Sequence, residues 1–502
     1  MDIRTLRHAT LHPRGAKQQR VRLERARSEL EGMRRTDGKL FSLLPPSEEL
    51  IQQRIFWVAD AFGPTHVERL ITGLRVSGID KGLGNQKPSD WVVQMRAGTY
   101  ASGRTHLNTI VPPGATGFFQ ATHAELPTGV QLAIPTITVV QGTLTILGIC
   151  FLLDHQTGLA VDEALRAEHR SEIVEVRERG TSFSMPMTQQ RAAVTAARQQ
   201  VRRSLTRWFT GHFEGAFGQH PESDLPTVEL VTHRTDEAVN FSLGTEWAWS
   251  LGFEGWPLWR STERPDIYMV ESPDRESDPY VLRLRSRESA ILPTQGPAGE
   301  TLSEEQGWRP LVGELNGSIE GTAALWTAIC LLRSYHSRLA TMRDIPPSVG
   351  IAPKDSERQL VRAQHQLAVA SDARAIAADV ARWTDVYAFA GYDGNDWKRV
   401  EAVVGSPAQA RSDVSWIGEA LEWCPESAKR LLDSEERVRG RLLIEAQLLG
   451  AGAGLRVQRL TLGIAFVALI VAIAALVVSA ASGSVSHVRS TATPLPHVRS
   501  AR

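Results

Sequence analysis

Leu460-Thr-Leu-Gly-Ile-Ala-Phe-Val-Ala-Leu-Ile-Val-Ala-Ile-Ala-Ala-Leu-Val-Val478 contains no charge, no proline and no amide side chain. Twelve of its nineteen residues are Leu, Ile, Val or Phe. Carried on to Ala481 it is 22 residues, about 33 Å as a helix, enough for a hydrocarbon core of about 30 Å. At about −0.3 to −0.6 kcal/mol for each large apolar residue, insertion is favoured by roughly 4 to 7 kcal/mol. A buried core helix is the alternative, but core helices rarely run this long without a polar residue. The stretch therefore predicts one transmembrane helix over 460–481 and a single-pass protein of the plasma membrane.

The 502 residues leave room for two or three domains. An apolar content of 42% with 22% charge belongs to a folded chain, not a disordered one. Lys+Arg and Asp+Glu are both 56, so bulk charge draws neither nucleic acid nor an acidic partner. Only seven of the basic residues are lysine, the skew that GC-rich bacterial coding produces. Cys150, Cys330 and Cys424 form no CxxC and read as reduced, buried thiols. The basic segment 1–39 has no apolar core of the signal-peptide kind, which predicts a cytoplasmic N-terminal domain and an outward tail. From Arg20 it reads as a helix. Its basic residues suit anionic lipid, whereas Glu24, Glu29 and Glu31 favour docking on its own domain.

Between the two ends the pattern changes once. Pro45-Pro46-Ser47-Glu48-Glu49 reads as a helix start leading through Ile51, Ile55 and Val58 to Phe62. Trp91–Met95 and Leu107–Val111 read as short strands. Residues 126–153 carry no charge. Pro135, Gln141-Gly142 and the β-branched residues around them predict buried strands at Val130–Ile134, Ile137–Gln141 and Leu144–Leu153, not a second span. A long polar helix follows at 187–213, with Arg198, Arg202 and Arg203 on its polar side. Strands are expected at Thr227–Thr232, Ile267–Glu271 and Tyr280–Leu284. After a loop-like 286–311 the composition turns helical, with helices at 319–342, 356–389 and 408–449. Val369, Ile376, Val380, Trp383 and Tyr387 form a heptad-like seam, which suits either a second copy or packing within one subunit. The small-residue run Gly450 to Gly454 then acts as a joint before the apolar stretch.

No HExxH, GxSxG, Walker A loop, GxGxxG after a strand, or Cys/His zinc spacing is present. Gly82-Leu-Gly84 lacks the Lys-Ser/Thr ending of a phosphate loop and reads as a turn. His212 and His220 flank Glu214 and read as loop histidines. His487 and His497 in the tail make a poor metal site. No catalytic residue, metal ligand or cofactor is assigned. Trp247, Trp249, Trp256 and Trp259 read either as core packing, the commoner fate of Trp, or as an aromatic interaction face. Gly450/Gly454 and Ala468/Ala472 are pairs of small residues four apart, the spacing that lets helices approach closely, and they point to self-association.

The seam-bearing helices, the small-residue joint and Arg459-Leu-Thr461 at the mouth of an apolar helix resemble the junction between stalk and first span in CorA-type divalent-cation channels. The resemblance covers 435–478. It implies a helical stalk feeding a membrane oligomer. The family also carries a Gly-Met-Asn signature and a second span; this sequence has neither, and no channel residue carries over.

The expected fold is an α/β (α+β) cytoplasmic domain at 40–310, a helical stalk at 316–450, one transmembrane helix at 460–481 and a disordered tail at 482–502. The expected function is that of a membrane-anchored interaction or sensor protein without a catalytic site. Its partners would be the bilayer, a second copy and an unidentified protein, with no nucleic acid. A CorA-like channel or cation-responsive oligomer is the alternative, and an enzyme with an unrecognised site the third class.

Overall fold

The computed structural model describes residues 13–40, 44–81, 86–99, 102–115, 121–177, 180–219, 224–234, 246–253, 258–272, 278–292, 304–344, 356–389, 396–401 and 409–482. The chain divides into two compact units. One is Met1–Asp344 with Val369–Glu436, and the other is Ile345–Ala368 with Arg437–Arg502.

The first unit is built on a twelve-stranded sheet. Its strands are β1 (Gln52–Phe62), β2 (Gly103–His106), β3 (Ile110–Val111), β4 (Thr122–His123), β5 (Val130–Gln141), β6 (Leu144–Leu153), β9 (Thr227–His233), β10 (Leu258–Ser261), β11 (Ile267–Glu271), β12 (Val281–Arg287), β13 (Trp397–Glu401) and β14 (Gln409–Ser415). A separate hairpin pairs β7 (Glu172–Arg177) with β8 (Gly180–Ser184). The order across the sheet is β14-β13-β10-β11-β12-β9-β1-β6-β5-β3-β4, with β2 added alongside β5. Pairing is antiparallel except at β12/β9 and β3/β4.

The helices among the described residues are α1 (Pro13–Leu40), α2 (Val67–Val76), α3 (Pro88–Gln94), α4 (His155–Gly158), α5 (Ala160–Arg166), α6 (Pro186–His212), α7 (Glu246–Trp249), α8 (Glu288–Ile291), α9 (Glu304–Asp344), α10 (Ser356–Phe389) and α11 (Trp416–Ser482). Side chains alternate between the two faces of a strand. On β1, Trp57 and Ala59 face α9, and the neighbouring Asp60 faces the turn after α6. On β6, Phe151 meets Trp208 of α6 edge-on, 5.7 Å between ring centroids. Helices thus cover both faces. One core gathers Val161, Leu165, Val194, Trp247, Leu251 and Phe253 around Val231, Leu258 and Val270 of the sheet.

The apolar, charge-free stretch at 126–153 folds as the expected strands. Val130–Ile134 and Ile137–Gln141 are one strand, because Pro135 sits within β5 where its carbonyl still accepts from Leu107 N at 2.9 Å. Three local readings change. Residues 52–62 are the central strand β1, not a helix, and every residue of it is buried. A strand covered on both faces shows a near-continuous apolar run, and Ile51, Ile55, Val58 and Phe62 fit helical spacing as well. Trp91 to Gln94 lie in α3, which starts with Pro88 at its first turn, a favoured place for proline. Arg198 and Arg202 face the sheet and are buried.

The stalk is also redrawn. α9 lies on the sheet, with contacts to β1 and β6, and β13 and β14 extend that sheet from within 316–450. The seam of α10 is occupied inside the first unit, where Ile376, Val380 and Trp383 are buried. Gly450 and Gly454 are not a joint; α11 runs through them without a break, as it does through Pro425.

The expectation of a transmembrane helix at 460–481 is corrected. Among the described residues no helix is long and apolar enough to cross a membrane. The apolar stretch is the end of α11, and its side chains are described over 461–473. The single-pass assignment falls with it.

Candidate functional site

The end of α11 is the largest run of exposed apolar side chains among the described residues. All residues of 461–473 are exposed, Leu462, Ile464, Phe466, Val467, Leu469, Ile470, Val471 and Ile473 each by half or more. Leu462, Phe466, Leu469 and Ile473 recur at steps of four, three and four, which places them in one line along the helix. Ala468 and Ala472, named by the sequence as an association pair, lie beside that line and are exposed. Single exposed apolar residues are ordinary, but a contiguous apolar stretch marks an interaction site.

The tryptophan cluster does not form one face. Trp247 and Trp259 are in the core at 1% and 2% exposure, and Trp249 is 40% exposed. Trp256 lies outside the described residues, as do Gly82, Gly84, His220, His487 and His497. The three cysteines are free and buried.

Four polar clusters, none with a sequence signature, sit in the first unit. Under α9, Glu320 accepts from Arg104 Nη1 at 2.9 Å, Thr136 Oγ1 at 3.1 Å and Asn316 Nδ2 at 3.3 Å. His106 Nδ1 is 3.4 Å from the same carboxylate, and Asn316 Oδ1 takes the indole N–H of Trp57 at 3.0 Å. The cavity beside them, about 20 Å3, has room for one water and no substrate. Four donors around one carboxylate describe a tether for α9 better than a catalytic base.

At the end of β1, Asp60 is fully buried and accepts four backbone N–H groups: Ala61 at 2.7 Å, and Gly215, Phe217 and Gly218 at 3.0 Å. Burial pushes its carboxyl up to about 6, and the four N–H groups pull the other way without cancelling it. A Cβ on Gly215 would lie 2.5 Å from the Asp60 carboxyl carbon, so only glycine allows this close wrap. Next to it, Thr65 Oγ1 donates to Asp372 at 2.5 Å and lies 3.0 Å from His66 Nδ1, while Gln219 meets His66 Nε2. Burial holds His66 below its ordinary value. Its two nitrogens are occupied, which marks a structural histidine.

An open groove of about 480 Å3 runs between α2 and the end of α6, walled by Glu68, Arg69, Thr72, His212 and Glu214. Arg69 and Glu214 pair across it at 3.0 Å, and His212 Nδ1 donates to Trp208 O at 2.8 Å. Among the described residues no group of three His, Cys, Asp or Glu side chains could hold a metal ion.

The fourth cluster is ionic and internal. Arg202 places Nη1 2.8 Å from Asp278 and Nε 3.2 Å from Glu229. Arg283 Nη2 meets Asp278 at 2.7 Å, and Gln53 Nε2 donates to Glu229 at 2.9 Å. Burial lowers Arg202, but Glu229 and Asp278 more than offset this and hold it above the ordinary arginine value. Burial, with repulsion from Arg283, takes Arg198 down to about 9.

No family model, no curated protein and no solved structure matches this chain.

Proposed function

We propose that the chain is a non-enzymatic interaction protein that assembles with a second copy of itself through the apolar end of α11. One observation carries this: the exposed line Leu462, Phe466, Leu469 and Ile473, spaced as a coiled-coil seam. In the sequence Leu455 and Leu448 continue it at intervals of seven. The flank beside it, with Ala468 and Ala472, suits close approach of a further helix. A seam of this kind fits a helix of the same period, and α11 of another copy supplies one. The saturated carboxylate of Glu320 and the water-sized cavity beside it favour a binding role over catalysis.

The test is the mass of the purified full-length chain by light scattering. Wild type is expected as a dimer or higher oligomer. Phe466→Glu with Leu469→Glu is expected as a folded monomer, and Ala468→Leu with Ala472→Leu to weaken association by roughly 1 kcal/mol. A wild-type monomer, an oligomer untouched by the Glu substitutions, or a monomer that floats with lipid vesicles each overturns the proposal.

A further inference from the structure

Among the described residues, the ionic cluster between α6 and the sheet contains more positive charge than its carboxylates answer. Arg198, Arg202 and Arg283 face Glu229 and Asp278, and none of the five is more than 3% exposed. Arg191 adds positive charge near Arg283. Asp224 stands at the rim, 3.9 Å from Arg202 and 29% exposed. Burial pushes its carboxyl above the ordinary value, against the pull of Arg202.

Hydrogen bonding shows the same excess. Arg198 donates Nη1 to Leu251 O at 2.7 Å, but its Nε and Nη2 meet no acceptor among the described residues. Arg202 Nη2 and Arg283 Nε are in the same position. Arg198 and Arg202 are four residues apart on α6, so their side chains are neighbours on one face. Buried guanidinium N–H groups without acceptors are rare, and an ion or water is the usual explanation. The surrounding packing is tight: a Cβ on Gly252 would lie 2.1 Å from Arg283 Nη1. Packing this close beside Arg283 argues for a small ion over one as large as a phosphate.

We propose that the cluster binds a small monovalent anion of chloride size, held by the unmet N–H groups of Arg198 and Arg202. An anion here balances the interior charge and satisfies donors that meet no acceptor among the described residues. It locks α6 to β9 and β12, and it makes the stability of the first unit anion-dependent.

Thermal unfolding of the full chain in sodium chloride, sodium bromide and sodium gluconate at equal ionic strength tests this. Chloride and bromide are expected to raise the melting temperature by several degrees over gluconate, saturating with concentration. Arg198→Met is expected to remove that difference. Because this variant could fail to fold, crystals of the wild type soaked in bromide supply a second readout, an anomalous peak at hydrogen-bond distance from Arg198 and Arg202. Equal melting in all three salts overturns the proposal. So does a bromide peak found only elsewhere, which is an adventitious ion only, or water alone at the cluster.

Discussion

Arg202 and Glu229 meet on the α6 face of the sheet, Nε 3.2 Å from Oε1, and neither side chain reaches solvent. A buried pair of this kind gives little net stability over well-packed apolar residues, yet breaking it leaves a charge stranded. Glu229→Gln is therefore expected to cost about 3–5 kcal/mol in urea unfolding. Arg202→Met with Glu229→Met should cost much less than the sum of the single changes. Additive effects would show that the two side chains act separately.

Asp60 gives a pH dependence with a definite sign. Its folded value, about 6, lies above the ordinary 3.8. The folded state then holds the proton more tightly than the unfolded chain. Stability from this group is complete below about pH 4 and is lost as pH rises through 6. The span of about two units corresponds to roughly 3 kcal/mol. Wild type should lose about that much relative to Asp60→Asn between pH 4 and pH 7, measured by urea unfolding at each pH. Parallel curves for the two proteins would contradict it.

Gly129 precedes β5 with φ of 84°, and a Cβ there would lie 2.1 Å from Thr157 Oγ1. Gly129→Ala combines backbone strain with a clash and is expected to cost about 1–3 kcal/mol. Adding Thr157→Ala should recover the clash and leave the strain. Full recovery in the double variant would mean the backbone conformation is not strained.

Asn316 joins Trp57 to Glu320 beneath α9. Asn316→Leu strands the indole N–H and is expected to cost about 1–3 kcal/mol. Glu320→Gln keeps the shape but turns an acceptor for four donors into a half-donor. It should loosen α9, read as faster amide exchange along 316–330. Unchanged exchange would mean that apolar packing alone holds this helix.

The sequence revealed what periodicity and composition can carry. The β5–β6 hairpin was legible because a charge-free, β-branched run has few other uses. α10 was legible to its ends. β1 was not, because its apolar residues fit both periods and its polar ones, Gln53, Arg54 and Asp60, are buried only by virtue of partners far along the chain. Arg198 and Arg202 looked like a solvated helix face for the same reason: Glu229, Asp278 and Arg283 are up to 85 residues away. At the end of α11 the apolar character was plain, and Ala468 and Ala472 are exposed on that helix. The spanning role was not sustained, since no described helix has the required length of apolar residues. Trp247 and Trp259 illustrate that a cluster in sequence need not be a cluster on the surface.

The place of β13 sets the order in which the chain can be completed during synthesis. β10 pairs on one side with β11, close in sequence, and on the other with β13, Leu258 opposite Val400. Two long helices are translated between them. At about 5–20 residues per second, β10 presents an open edge for on the order of ten seconds before its partner leaves the ribosome. During that interval its unpaired N–H and C=O groups are a template for foreign strands. The open edge of β10 is thus exposed at the stage when the sheet is two strands short, β13 and β14 both still to come, and a stall between 300 and 396 would be the costliest place to pause.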